Sequence, residues 1–308
     1  MPAEKIISLL PAATEIVCAL GLEAQLVGRS HECNYPFSVK HLPACTRDRI
    51  GTDLNSGAID RRVKTLLTDA LSVYEVNREV IKELKPDVVI TQDQCEVCAV
   101  SLPEVEQALA GYLDKPAQII SLQPNSLDDI FDNINQVAAA LQTLPAAQIL
   151  LEDLQERVDI IRHKLKFMEN KPTVACIEWL DPLMTSGNWV PELVSIAGGT
   201  PLMADSGKHS AYIQWEDLRL ADPEIMVLMP CGFSIERTLQ EIDLILQLPG
   251  LTDLQAVKNK RFYIVDGNQY FNRPGPRIVD SLEIMAEIIY PKQFFFGYEG
   301  EGWIKFDV

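Results

Sequence analysis

Two rhythms of apolar and polar residues alternate along this chain. Short, β-rich apolar runs recur at Lys5–Leu9, Ala24–Arg29, Pro86–Thr91, Ala117–Ser121, Thr173–Ile177, Glu224–Met229 and Arg261–Val265. Such runs read as strands. Between them, apolar residues fall at helical spacing over Pro11–Leu20, Asn77–Leu84, Pro103–Leu113, Ser126–Leu141, Val190–Ala197, Gln214–Leu220, Ser234–Leu246 and Ile278–Ile289. The punctuation agrees. Pro11 sits in a first helical turn and Gly21 just past the end of the same helix. Ser126 is placed to cap a helix whose first turn carries Asp128 and Asp129. Strands alternating with helices predict βαβ units and largely parallel sheets.

The middle of the chain departs from the alternation. After Pro145 the pattern predicts a helix to about Glu169, with Leu150, Leu154, Val158, Ile161, Leu165 and Met168 spaced 4, 4, 3, 4 and 3 residues apart along one seam. At 1.5 Å per residue such a rod is roughly 37 Å long, the span of a small domain. The fold expected is therefore α/β: two Rossmann-like lobes with parallel sheets, joined by one long backbone helix. Its parts are an N-terminal lobe over 1–125, a helical connection over 126–170 and a C-terminal lobe over 171–308. The polar stretch holding Asp53, Asp60, Asp69 and Glu75 reads as a solvated face. The aromatic tail Phe294-Phe295-Phe296-Gly297-Tyr298 takes no assignment from pattern alone.

Charge narrows the function. The 308 residues carry 27 Lys+Arg against 44 Asp+Glu, a net charge of −17. A chain so acidic repels nucleic-acid phosphates, and its net charge disfavours an anionic membrane surface. No apolar run is long enough to span a bilayer. Met1-Pro2-Ala3-Glu4-Lys5 leads straight into the first strand, without a basic n-region, a long apolar stretch or a lipid-attachment cysteine. The chain as it stands is expected in the cytoplasm, or in the periplasm if an export signal has been trimmed. The 7 cysteines, an odd number spread over this length, do not form a disulfide framework. Cys18 and Cys176 fall in apolar segments and read as core. Cys33, Cys45, Cys95, Cys98 and Cys231 lie nearer loops.

Ligands of parallel α/β sheets bind beyond the carboxyl ends of the strands, so the residues following each strand are the candidates. These ends hold Pro11, Ala12 and Thr14; His31, Cys33 and Tyr35; Gln92; Asn125; Trp179; Phe233; and Asn268, Tyr270, Phe271 and Asn272. Aromatic rings and amides dominate. Glycine-rich phosphate loops, nucleophile elbows and metalloprotease helices are not among them. Trp179 and Tyr35, directly after strands, are candidate walls for a flat ring, whereas Trp215 at a helix start reads as core. His31 offers a ring nitrogen to a metal centre or, more simply, a hydrogen bond to Glu32 or backbone. His41 and His163 read as surface, and His209 as part of an exposed loop.

The order of these segments carries a resemblance. Ile7-Ser8-Leu9-Leu10-Pro11-Ala12-Ala13-Thr14-Glu15, Ala19-Leu20-Gly21, Leu26-Val27-Gly28-Arg29, Leu84-Lys85-Pro86-Asp87-Val88-Val89, Thr185-Ser186-Gly187, Ala197-Gly198-Gly199, Ala221-Asp222-Pro223-Glu224 and Phe271-Asn272-Arg273-Pro274-Gly275-Pro276-Arg277-Ile278 follow one another as they do in the class III periplasmic binding proteins. Within that family the chain looks most like the cobalamin-binding branch. The resemblance implies two α/β lobes on a single long helix and a monomeric, non-enzymatic substrate-binding protein of an ABC importer. It implies a corrinoid or related iron or metal chelate held between the lobes as ligand, with no cofactor required. It also implies permease docking through exposed glutamates, for which Glu96 and Glu236 are the candidates. A different class remains open beside it: a cytoplasmic metal- or thiol-dependent protein on the same scaffold, using His31, Cys33, Cys95 and Cys98 as soft ligands for zinc or iron.

Overall fold

The computed structural model describes residues 5–51, 54–68, 73–92, 105–106, 109 and 116–308. Contacts divide the chain into two units. One comprises Met1–Leu54, Arg61–Pro124 and Asp128–Asp153; the other comprises Asn55–Asp60, Asn125–Leu127 and Leu154–Val308.

In the first unit, β1 (Ile6–Ser8) leads into α1 (Pro11–Ala19), with Pro11 at the helix start as its pattern requires. β2 (Leu26–Gly28), β3 (Thr46–Asp48), α2 (Ser56–Thr68), β4 (Tyr74–Val76), α3 (Arg78–Leu84), β5 (Val88–Gln92), β6 (Gln118–Leu122) and α4 (Leu127–Ala140) follow, the starts of α2 and α4 belonging to the other unit. The predicted helix Pro103–Leu113 lies mostly outside the described residues. The sheet order is β2-β1-β5-β6 with every pair parallel, and its face buries Ile7, Leu9, Val89 and Ile81. β3 and β4 form a separate antiparallel ladder.

The rod is α5 (Leu144–Leu165), 22 residues and about 33 Å long. The division between the units falls inside it, after Asp153. Leu154, Val158, Ile161 and Leu165 of the predicted seam are buried. The helix stops a turn early: Lys166 and Met168 bond three residues back, to His163 and Leu165, as the chain tightens ahead of Pro172.

The second unit runs β7 (Thr173–Leu180), β8 (Leu183–Thr185), α6 (Val190–Ile196), β9 (Thr200–Pro201), α7 (Trp215–Ala221), β10 (Ile225–Leu228), α8 (Ile235–Leu239), α9 (Asp243–Leu246), α10 (Gln255–Lys258), β11 (Phe262–Val265), α11 (Ile278–Ile289) and β12 (Trp303–Lys305). Its sheet order is β12-β11-β10-β7-β8, with β9 also on β7. β7, β10 and β11 are parallel; β8 and β12 are antiparallel edges. The predicted helix Ser234–Leu246 is two short ones. Ser234 caps the first, its hydroxyl accepting from the Arg237 N–H at 3.2 Å, and the break follows where Glu241 turns to the Ser56 N–H. In the polar stretch after residue 50, Asp53 and Asp69 lie outside the described residues, and the others make specific bonds. Asn55 accepts from the Ala58 N–H at 2.9 Å and starts α2, Asp60 accepts from the Tyr212 hydroxyl at 2.7 Å, and Glu75 pairs with Arg47 at 3.1 Å.

Candidate functional site at the strand ends

Each parallel sheet has one place where chain order reverses, and the strand ends there form a crevice. In the first unit the reversal falls between β1 and β5, and in the second between β7 and β10.

At the first crevice a buried hydroxyl relay fixes the turn from β1 into α1. Ser8 Oγ donates to the Leu10 carbonyl at 2.8 Å, Thr14 Oγ1 donates to Ser8 Oγ at 2.9 Å, and Cys33 Sγ lies 3.0 Å from Thr14 Oγ1. Thr14 and Ala12 are buried, so their place is inside the turn, while Pro11 at the helix start is half-buried. Gln92 closes β5 and is buried as well. Tyr35 is exposed.

His31 is held by its neighbours. Its Nδ1 is 2.7 Å from Thr46 Oγ1, its ring meets Tyr74 edge-on at 4.9 Å, and its Nε2 is buried 3.4 Å from Glu32 Oε1. The ring's hydrogen bond goes to the Thr46 side chain, and Nε2 makes none. The simpler sequence reading named Glu32 or backbone as the partner, and the ring bonds Thr46 instead. Cys33 is buried against Thr14. Cys95, Cys98 and Glu96 lie outside the described residues, and among the described residues no group of three His, Cys, Asp or Glu is arranged to hold a metal ion. Cys45 and Cys176 are buried, and burial pushes both thiols up to about 12. A thiol with that pKa is un-ionised and unreactive at neutral pH. Iodoacetamide is therefore expected to leave Cys45 and Cys176 unmodified in the native protein and to label them after denaturation. Peptide mass spectrometry reads the difference, and native labelling of Cys45 would show that the core of its unit opens.

At the second crevice, Met229 N–H bonds the Ile177 carbonyl at 2.8 Å and Cys231 N–H bonds the Glu178 carbonyl at 3.1 Å, aligning the two strand ends. Trp179 and Phe233 come together there, ring centroids 5.3 Å apart. The Trp179 indole N–H is shared between the carbonyls of Asp181 (3.1 Å) and Ser56 (3.2 Å). Arg237 lies over the Phe233 ring, 4.5 Å from its centroid, and is ion-paired to Glu241. Sequence reasoning passed over Arg237 and Glu241. Their i, i+4 spacing, and Phe233 four residues before Arg237, were the available signal.

β11 delivers the amides. Gly267 is required where it stands, because a Cβ would strike the Pro230 carbonyl. The close approach places Asn268 N–H 3.0 Å from the Phe233 carbonyl. Asp266 accepts from the N–H groups of Asn268 and Gln269 at 3.0 and 2.7 Å, the Asn268 side-chain oxygen accepts from Arg273 at 3.0 Å, and Asn272 donates to the Gly267 carbonyl at 2.7 Å. Asn125 is half-buried. Three predicted wall residues are buried, Phe233 among them at 6% exposure. Phe271 is wholly buried, with the Trp189 indole N–H on its carbonyl at 2.8 Å, and Tyr270 is buried against Tyr298 at 5.9 Å. Both rings follow the strand too late, after the chain has turned back into the unit. Trp215 donates to the Pro249 carbonyl at 2.9 Å and packs on the core, as its position suggested. Glu236 is exposed in the first turn of α8, where its own backbone N–H and the Ser234 hydroxyl hold its carboxyl below the usual range.

Two α/β units on one long helix, each with a switch point in a parallel sheet, set the class of fold. The chain belongs to the periplasmic binding protein family, whose profile matches residues 6–268. It is 26% identical over 285 residues to a vitamin B12-binding protein of Vibrio cholerae serotype O1, covering 92% of this chain and 87% of the relative. Among solved structures it resembles the periplasmic vitamin B12-binding protein of Vibrio cholerae, with a TM-score of 0.67 at 23% identity over 94% of this chain and 98% of the other. It also resembles a periplasmic heme-binding protein of Pseudomonas aeruginosa, with a TM-score of 0.72 at 19% identity over 94% of each chain. These likenesses favour the binding protein over the metal- or thiol-dependent alternative.

Proposed function

We propose that this protein is the substrate-binding component of an ABC importer and that its substrate is a corrinoid. The observation that carries this reading is the Trp179–Phe233 pair at the second switch point, beside the amides after β11. A corrin ring is broad, flat and apolar on its faces, and its rim carries amide arms. Aromatic side chains cover such a face at low entropic cost, and carboxamides exchange hydrogen bonds with the arms. In this reading Trp179, Tyr35 and Pro11 contact the ring, while Asn125, Asn268 and Asn272 meet the arms. The relative from Vibrio cholerae named for vitamin B12 supports the choice among chelates. The protein works in the periplasm, with a permease as partner and Glu236 as a docking carboxylate.

Calorimetric titration with cobalamin and with cobinamide tests the ligand. One-to-one binding at micromolar or better affinity is expected, about −8 kcal/mol or stronger. No heat with either corrinoid, alongside saturable binding of haem or a ferric chelate, would move the protein to another ligand class of the same fold.

A further inference from the structure

The end of α5 and the segment after α11 place aromatic rings and lysines on neighbouring stretches of one unit. The Tyr290 hydroxyl ties the stretches together, 2.7 Å from the Asn170 carbonyl and 3.0 Å from that of Gly198. Lys164 Nζ stands 5.2 Å from the Phe294 centroid, and Lys166 Nζ stands 5.6 Å from that of Phe167. The backbone here is pinned. Glu287, buried on α11, accepts from the N–H groups of Phe296 and Gly297 and, at 2.7 Å, from the Trp303 indole. Phe294 turns inward and stacks with Phe296 at 5.7 Å. Pinned this way, the chain holds Phe295 87% exposed and Phe296 38% exposed, and Phe167 is 84% exposed. Rings projecting into water from a fixed backbone form an apolar surface that the unit itself does not cover.

The local charge opposes the charge of the whole. Residues 162–171 hold Arg162, Lys164, Lys166 and Lys171 against Glu169, and Lys292 stands beside the phenylalanine run. Arg162 is 3.8 Å from Asp159, whereas among the described residues no ion pair engages Lys164, Lys166, Lys171 or Lys292. Glu169 and the buried Glu287 are the acids of the same stretches, the four lysines outnumber them, and charges farther away than about 8 Å are largely screened at physiological salt. Lysine is depleted from the cores of protein–protein interfaces. Exposed phenylalanine set among lysines suits a bilayer surface instead: rings enter the acyl boundary while ammonium groups meet lipid phosphates.

We propose that the patch of Phe167, Phe295 and Phe296 with Lys164, Lys166 and Lys292 docks the protein on an anionic lipid surface. The test sediments the whole chain with vesicles of phosphatidylcholine, with and without phosphatidylglycerol. Binding to the anionic vesicles, weakened by added salt, is expected. Partitioning should fall roughly tenfold or more in Phe167→Ser/Phe295→Ser and in Lys164→Glu/Lys166→Glu. Thermal midpoints should stay at the wild-type value, since all four side chains are exposed. The proposal is overturned by equal sedimentation of wild type and both variants, or by no preference for the anionic vesicles. It is also overturned by a wild-type dimer that Phe167→Ser/Phe295→Ser dissociates while vesicles bind neither protein, because the patch would then serve a second copy of the chain.

Discussion

Replacing Arg157 with alanine is expected to cost about 3 kcal/mol of folding stability, among the largest losses for one side chain in this protein. Arg157 leaves α5 to meet two carboxylates of α11, Asp280 at 2.6 Å and Glu283 at 2.6 and 2.9 Å. The Tyr298 hydroxyl adds a bond to Glu283 at 2.9 Å. Glu283 is 8% exposed and Asp280 19%, so removing the guanidinium strands two negative charges away from water. Burial already raises the Asp280 carboxyl, Arg157 partly offsets that rise, and burial and then the nearby carboxylates push the Tyr298 phenol up. The pH dependence follows with a definite sign. A carboxyl whose folded pKa is raised adds stability below its unfolded pKa and loses it as pH rises through the folded value. Without Arg157 the Asp280 pKa climbs further. The variant's deficit is thus largest at neutral pH and shrinks as the medium becomes acidic enough to protonate Asp280. Urea unfolding of both proteins at neutral and mildly acidic pH checks this, and a deficit independent of pH would mean lost packing rather than stranded charge.

Trp179→Ala is expected to weaken corrinoid binding by about 2 kcal/mol, roughly thirtyfold, with the fold intact. The ring is only half-buried, so its loss opens no sealed core cavity, whereas the ligand loses an aromatic face. Trp179→Phe should recover most of the affinity while giving up the N–H bonds to the Ser56 and Asp181 carbonyls. Titration of both variants, with circular dichroism as a control, separates the roles. A Trp179→Ala chain that fails to fold would make this residue part of the core. A folded variant with wild-type affinity would place the ring contact elsewhere.

Local rules located most of the elements. Pro11 starts α1, Asn77 caps α3 with a 3.4 Å bond from the Val80 N–H, and α11 spans Ile278–Ile289 as its period predicts. The same rules failed where a distant partner intervened. Ser234–Leu246 has helical spacing throughout, but Glu241 is drawn to Ser56, 185 residues away in sequence, and the helix breaks. The tail resisted reading because β12 pairs with β11 and Glu287 gathers Phe296, Gly297 and Trp303. No window of local sequence contains those partners. Lys164 and Phe294 likewise become neighbours only through the fold.

By itself, the sequence determined the alternation of strands and helices, the long α5 rod, the family and the strand ends at which side chains can meet a ligand. Those properties rest on periodicity and short-range backbone chemistry, which a linear string records. Tertiary structure decided which strand-end residues are paired and which are buried. Trp179 and Phe233 come together because β7 and β10 are neighbours, whereas Phe271, equally aromatic and close behind β11, is buried because the chain turns inward before reaching it. The direction of a side chain after a strand depends on turns and on close approaches such as that of Gly267 to Pro230, and these exist only once the sheet has assembled.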